Sequence, residues 1–426
     1  MIGAGWLLAI LGAAEGAVEG GLEMVQLENG VELVLDRHDG PPIASVAVGY
    51  RAGRIDEPPG RYGLAHLAEH VTFRFAPVED GIEKLESIGG QWNGATYVDA
   101  TLYHETVPTA WIGFALWLER ERMRLAHESL DPDHVAIEKK IVAQELLERS
   151  GTSEEMSREA QRHLVADTHP LYEQTSELEE VKRHSAAEVS WFLRTHYRPS
   201  NVVVVVSGMF ERESVLEQAK RYWGGIPSEA SVRPSKRDLA PSVPRRVRVN
   251  GRTWAAVDEC QVVWAVESVR AAPLRVIASA LHAQLEEGGA ESQTRSFSVV
   301  PNPSRGIAFL NLRFEPVVNG PDCAQLAELG QKSVTATSLD AESLATLVRE
   351  EITDRALRAY DSEERAIALA LRRVRGHALD QNAALRGLSL SDANAVLTRL
   401  KQTPPVEVFL QYREGARKTR FEVSYP

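Results

Sequence analysis

One pattern of strand-like and helix-like segments partly repeats on the two sides of a proline-rich stretch. This repetition constrains the fold more than any other feature of the 426-residue chain. In the first half, Glu32-Leu33-Val34-Leu35 and Ile43–Tyr50 read as strands, rich in β-branched and small residues. A turn-rich run, Asp56-Glu57-Pro58-Pro59-Gly60, leads into a helical pattern from Leu64. Strand-like Thr96–Val107 precedes helical patterns at Ala110–Ala126 and from Asp131-Pro132-Asp133, which supplies capping side chains and a helix-starting proline. Helical segments run on to about Arg194, and the unbroken valines of Asn201–Gly208 then read as a strand buried on both faces. Past residue 250 the order partly returns, with strand Gln261–Val266, a helix near Leu274–Glu286, strand Ile307–Phe314 and helical patterns within Ala341–Gly376. Strand blocks alternating with helix blocks predict an α+β fold of two similar lobes rather than a doubly wound sheet. Each lobe is expected to be a mostly antiparallel sheet flanked by helices.

The stretch between the lobes carries Pro227, Pro234, Pro241 and Pro244 and ends in the basic run Arg245-Arg246-Val247-Arg248, which reads as an interdomain linker with a solvated charge run. The expected division is an apolar segment at 1–21, a lobe at 22–227, a linker at 228–250 and a second lobe at 251–426. In the first of these, Trp6-Leu7-Leu8-Ala9-Ile10-Leu11 resembles the apolar part of a secretory signal, although no Lys or Arg precedes Arg37. The run is far shorter than the roughly 20 apolar residues of a membrane span, so no integral span is expected. A signal remnant would place the chain in the periplasm or cell envelope, and a packed terminal segment in the cytoplasm.

Lys plus Arg number 48 against 60 Asp plus Glu, a formal charge of −12. That is the opposite of a phosphate-binding footprint, and nucleic acid is excluded as a partner class. The acid excess reads mainly as a solubility device, with a pull on basic peptides as the secondary reading. The two cysteines, Cys260 and Cys323, are too few for a disulfide framework and lack the spacing of a thiolate metal site. A bound metal must therefore rest on histidine and carboxylate.

Those residue types meet in His66-Leu67-Ala68-Glu69-His70. Four residues apart on a helix, His66 and His70 can present two imidazoles to one ion. Glu69, beside them, can stand next to the ion without ligating it and take a proton from a water the ion activates, as in an H-x-x-E-H site. The plain structural alternative is a pair of histidines that happen to be spaced by four. Catalytic zinc needs a third protein ligand, and His₂Glu is a known set. Glu145 is the candidate, sharing a helix face with Glu138 and Val142, where carboxylates are costly unless something positive compensates them. Glu138 is assigned to orienting a histidine ring N–H. Its alternative is a solvated carboxylate near Lys139 and Lys140.

At these residues the sequence resembles the pitrilysin, insulin-degrading enzyme and mitochondrial processing peptidase family of inverzincins, whose further ligand Glu lies some seventy-odd residues past the motif. Glu145 follows His70 by 75 positions. The resemblance extends through Gly89-Gly90-Gln91-Trp92-Asn93-Gly94-Ala95-Thr96 with Asp99, Thr101 and Tyr103. It continues through His169-Pro170-Leu171 and His196–Asn201 to the valine strand ending at Gly208. It covers about Leu22 to Pro227, and the second half is similar only in pattern. It implies a zinc-dependent endopeptidase with one Zn2+ per chain, acting on peptides held in a chamber between two lobes or subunits. The Gly89–Tyr103 segment reads independently as a turn and a strand whose edge can pair with an extended peptide. Asn93, Ala95 and Thr96 are the substrate-binding candidates, with a turn-forming role beside Gly94 as the alternative for Asn93.

Active single-unit members of that family share an Arg and a Tyr from the second lobe that hold the substrate carbonyl and stabilise the oxyanion. Here no tyrosine occurs between Tyr222 and Tyr360, and Arg295 or Arg305 is left as the possible cation. The resemblance therefore implies the zinc-bearing subunit of a heterodimer, with a homologous partner subunit supplying the Arg/Tyr pair and a homodimer less favoured. The competing expectation is a non-catalytic scaffold or peptide-binding subunit of the same fold, which predicts decay at the motif positions.

Overall fold

The structure, a computed structural model, describes residues 22–149, 152–165, 177–228, 247–253, 258–267, 271–303, 306–358, 361–412 and 420–424. The amino-terminal segment 1–21, His169-Pro170-Leu171 and linker residues 229–246 lie outside the described residues. Among the described residues twelve strands form two sheets. The first contains β1 (Leu22–Gln26), β2 (Glu32–Arg37), β3 (Ile43–Tyr50), β4 (Gln91–Thr96), β5 (Thr101–Pro108) and β6 (Val202–Gly208), in the order β1-β2-β6-β3-β5-β4. The second contains β7 (Val247–Thr253), β8 (Glu259–Glu267), β9 (Thr294–Pro303), β10 (Ile307–Pro316), β11 (Val406–Tyr412) and β12 (Arg420–Ser424), in the order β12-β7-β11-β8-β10-β9.

The two orders superpose strand for strand, with β2, β6, β3, β5 and β4 answering to β7, β11, β8, β10 and β9. Each sheet has one parallel pair, β2 with β6 and β7 with β11, and is otherwise antiparallel. The expected α+β architecture of two similar lobes is therefore present. The valine run explains the middle of the first sheet. Every residue of β6 is buried, as a strand with helices on both faces requires.

One packing feature crosses the halves. Helices Leu64–Thr72, Ile112–Leu125 and Ala186–His196 cover one face of the first sheet. Its other face is covered by Ser362–Val374, a helix from the second half, through Ala366, Leu369, Ala370 and Val374 against Val34, Ala47, Leu102 and Val203. Ion pairs fasten that helix at Arg365–Asp36, Arg373–Glu32 and Arg375–Asp99, the last at 3.1 Å. In return, Met156 and Ala160 of the first-half helix Ser153–Arg162 pack on Val249, Val263, Phe309 and Val408 of the second sheet. Ser157 Oγ donates to Gln261 Oε1 at 2.9 Å across the same contact. Each lobe thus lends a helix to the other sheet, an exchange that the linear division at 22–227 and 251–426 does not express.

The linker reading also changes at its end. Val247–Asn250 belong to β7, and the Arg248 guanidinium lies 2.7 Å from the fully buried Glu407 carboxylate, so this part of the basic run is structural rather than solvated. The two cysteines, too few for a framework, form a single bridge. Cys260 on β8 and Cys323, which opens helix Cys323–Ala336, form a disulfide across 63 positions of sequence. A loop of that length restricts the unfolded chain, and replacing both cysteines with serine is expected to cost about 4 kcal/mol. Denaturant unfolding of the double variant reads this as a lowered midpoint, and an unchanged midpoint would show the bridge to be inert. Among the described residues no helix is long and apolar enough to cross a membrane.

Candidate metal centre

The helix carrying the motif starts at a backbone position made for glycine. Gly63, its N-cap, has φ +81°, and a side chain there would lie 2.3 Å from Val181 Cγ2. Glu57 completes the helix start, its carboxylate accepting from the N–H groups of Gly63 (3.2 Å) and Ala65 (2.8 Å). Burial, reinforced by the charge of Glu177, pushes the Glu57 carboxyl well above the usual carboxylate range. Leu64, Ala65, Leu67, Ala68 and Val71 bury the inner face of the helix. At its far end Thr72 Oγ1 donates to the Glu69 carbonyl at 2.8 Å and accepts from buried Arg122 Nη1 at 3.1 Å.

Facing the motif is helix Pro132–Glu148, capped by Asp131, whose side chain accepts from Asp133 N at 2.9 Å. Val135 and Val142 bury its inner side, and Glu138 and Glu145 turn to the histidines. The carboxylate of Glu145 lies 3.5 Å from His66 Nε2 through Oε2 and 3.4 Å from His70 Nε2 through Oε1. One donor atom from each of His66, His70 and Glu145 falls within 4.8 Å of the others. His70 Nδ1 stands 3.1 Å from Oε2 of Glu138, which leaves Nε2 facing Glu145. Glu138 is 2% exposed, and its other oxygen accepts from Arg74 Nε at 2.6 Å.

Two imidazole nitrogens and a carboxylate are a donor set that suits zinc. The electrostatics agree. Burial works to lower the His70 pKa, but the hydrogen bond to Glu138 and the charges of Glu69 and Glu145 outweigh it, and the net shift is upward. The hydrogen bond from His66 leads in holding the Glu145 carboxyl below its ordinary value. The carboxylates of Glu69, Glu138 and Glu145 around the two histidines favour a positive charge at that point of the wall. Glu138→Gln is expected to weaken zinc binding by roughly 10–100-fold, because the His70 ring loses its anionic partner. Competition with a chromophoric chelator measures this, and unchanged affinity would remove Glu138 from the site.

Glu69 stands outside that donor set. Its Oε2 accepts from Thr96 Oγ1 at 2.6 Å, while a Cβ on Gly94 would come within 2.9 Å of Oε1. Glycine at 94 therefore lets β4 lie against the helix. A cavity of about 740 Å³ opens over these residues, with Trp92, Asn93, Ala95 and Thr96 along its β4 wall. Asn93 is exposed, with Oδ1 accepting from Gly94 N at 2.8 Å. β4 is the outer strand of its sheet, as the reading of a peptide-pairing edge requires.

The second lobe contributes Asn302, Arg313 and Arg375 to the same cavity. Arg295 is exposed on β9 and does not line it, and Arg305 lies outside the described residues. Sequence reasoning missed Arg313 and Arg375, which read locally as a strand and a helix-end residue. Only the docking of the lobes brings them here. Six arginines and five glutamates line the cavity, so the acid excess of the chain is not concentrated at this site.

Residues 33–180 match the family model described as insulinase, peptidase family M16, and residues 184–315 match the peptidase M16 inactive domain. The chain belongs to peptidase family M16. This M16 chain is 24% identical over 210 residues to the probable mitochondrial-processing peptidase subunit beta of Arabidopsis thaliana, covering 48% of this chain and 39% of that protein. It is 25% identical over 211 residues to an uncharacterized zinc protease of Bacillus subtilis, covering 48% and 50% of the two chains. The M16 chain thus spans half or less of the length of these curated relatives. Its fold matches that of a protease from Helicobacter pylori with a TM-score of 0.76 at 18% identity, over 92% of this chain and 99% of that one. A putative M16-like peptidase from Alicyclobacillus acidocaldarius gives 0.75 at 17% identity, over 92% and 98%. At the level of the family, this M16 chain stands among zinc proteases.

Proposed function

We propose that this M16 chain is a zinc-dependent endopeptidase. The observation that carries the proposal is the division of labour in one cavity. His66, His70 and Glu145 converge, while the carboxylate of Glu69 is held beside them by Thr96 and belongs to no ligand set. Zinc, when bound, supplies Lewis acidity that polarises the scissile carbonyl and makes water a better acid. The Thr96 hydroxyl occupies Glu69 Oε2, leaving Oε1 to take the proton of the attacking water and deliver it to the leaving amine nitrogen. The outer edge of β4 at Asn93–Thr96 offers main-chain hydrogen bonds to an extended peptide, which binds many sequences alike.

We further propose that the chain works as the catalytic subunit of a pair. The support is the tyrosine-free stretch from 223 to 359, together with relatives named as subunits. They are the mitochondrial-processing peptidase subunit beta of Arabidopsis thaliana and the human cytochrome b-c1 complex subunit 1. A non-catalytic scaffold of the same fold is the rival reading, and the intact set of His66, Glu69, His70 and Glu145 speaks against it. The test is peptide cleavage by the zinc-loaded chain alone and mixed with a homologous chain encoded beside it. Cleavage that rises with the partner is expected. Full-rate cleavage by the isolated chain that no partner increases contradicts the pairing, and zinc binding without cleavage in any mixture contradicts the peptidase reading.

A further inference from the structure

A second cavity, of about 470 Å³, lies beside the metal cavity and is lined by Arg275, Arg355, Arg372, Arg375 and His377, with Glu364 as the one carboxylate on its wall among the described residues. Glu351 pairs with Arg355 at 2.8 Å and lies 3.9 Å from Arg275, and Asp99 anchors Arg375 from the opposite lobe at 3.1 Å. Arg372 has no carboxylate within ion-pair distance among the described residues, and its Nε and Nη2 both donate to the single carbonyl of Ala378. Burial, followed by the charges of Arg355 and Arg275, holds the Arg372 guanidinium down to about 10, with Asp380 pulling weakly the other way. His377 Nε2 is buried and without a hydrogen-bond partner. Guanidinium groups crowded together in this way are stabilised by an anion that bridges them.

The two cavities adjoin. Arg375 lines both, and Asn302 on the metal cavity is followed directly along β9 by Pro303 on the second. A peptide laid across the metal cavity therefore lies next to the arginine-lined cavity, with Arg375 on the wall of both. We infer that the arginine-lined cavity is a carboxylate subsite, taking the C-terminus or an acidic side chain of a peptide held in the metal cavity. The inference deepens the peptidase reading and rests on it for the kind of ligand.

Binding is measured by calorimetry on the zinc-loaded full chain carrying Glu69→Gln, which keeps peptides intact. Four probes are compared: an acidic peptide with a free C-terminus, its C-terminal amide, its Glu-to-Gln version, and inorganic phosphate alone. Loss of the recognised carboxylate is expected to weaken binding about tenfold or more, and the change that does so identifies which end the subsite reads. Arg372→Gln erases that discrimination, and Arg372→Lys keeps part of it. Arg372→Gln loses the two hydrogen bonds to the Ala378 carbonyl as well as the repulsion from Arg355 and Arg275, so its thermal midpoint is measured beside binding, and Arg372→Lys, which keeps the charge, separates lost binding from misfolding. Equal affinities for the three peptides overturn the inference, as does unchanged discrimination in Arg372→Gln. Phosphate binding without peptide discrimination also overturns it, in favour of a site for free anions. Discrimination by a chain whose parent never cleaves leaves the subsite standing and removes the peptidase reading.

Discussion

Glu69→Gln is expected to keep one zinc per chain and to cleave peptides roughly 10²–10⁴-fold more slowly than the parent. The substitution conserves shape and leaves an oxygen to accept from Thr96 Oγ1, the contact that now holds the carboxylate at 2.6 Å. Only the capacity to take a proton is removed. Because the donor atoms of His66, His70 and Glu145 converge without Glu69, metal content should be insensitive to the change. A fluorogenic peptide assay beside metal analysis reads both quantities. Zinc lost together with cleavage would make Glu69 part of the metal site, and cleavage retained would move proton transfer to another group.

Glu145→Gln should act in the opposite sense, with metal lost first and activity lost as a consequence. Among the described residues Glu145 is the sole carboxylate spanning both histidines, at 3.5 Å from His66 Nε2 and 3.4 Å from His70 Nε2. Neutralising it removes the anionic ligand, which should cost more than the roughly 10–100-fold expected for an outer partner such as Glu138. The parent should also gain thermal stability from added zinc, since a ligand that binds only the folded state stabilises it. Glu145→Gln should gain little at the same concentration. Equal zinc affinity in parent and variant would remove Glu145 from the ligand set.

Much of the fold was legible because it is written in local periodicity. The valines of β6 mark a strand buried on both faces, and the Asp131-Pro132-Asp133 start was readable as a cap. β9 was not read, because an outer strand with Pro301 and Pro303 and mostly half-buried side chains shows no alternation. The Cys260–Cys323 bridge depends on a 5.4 Å approach of two Cα atoms distant in sequence. The exchanged helices were equally hidden, since an amphipathic helix shows that it buries a face but not which sheet it covers. In the site, the spacing of His66 and His70 named the helix face directly and Thr96 was read only as a substrate contact, not as the partner of Glu69, whereas Glu57, Arg313 and Arg375 carry no local signal. Their places follow from strand pairing, a helix start and the docking of two lobes.

In the proposed function, zinc held by this chain supports peptide hydrolysis. Removing metal with a chelator and adding zinc back, while cleavage is followed in the presence of the partner chain, tests it most directly. Cleavage should vanish on chelation and return in full at one equivalent of zinc per chain. Cleavage that survives complete metal removal, or a chain that takes up no zinc, would contradict it.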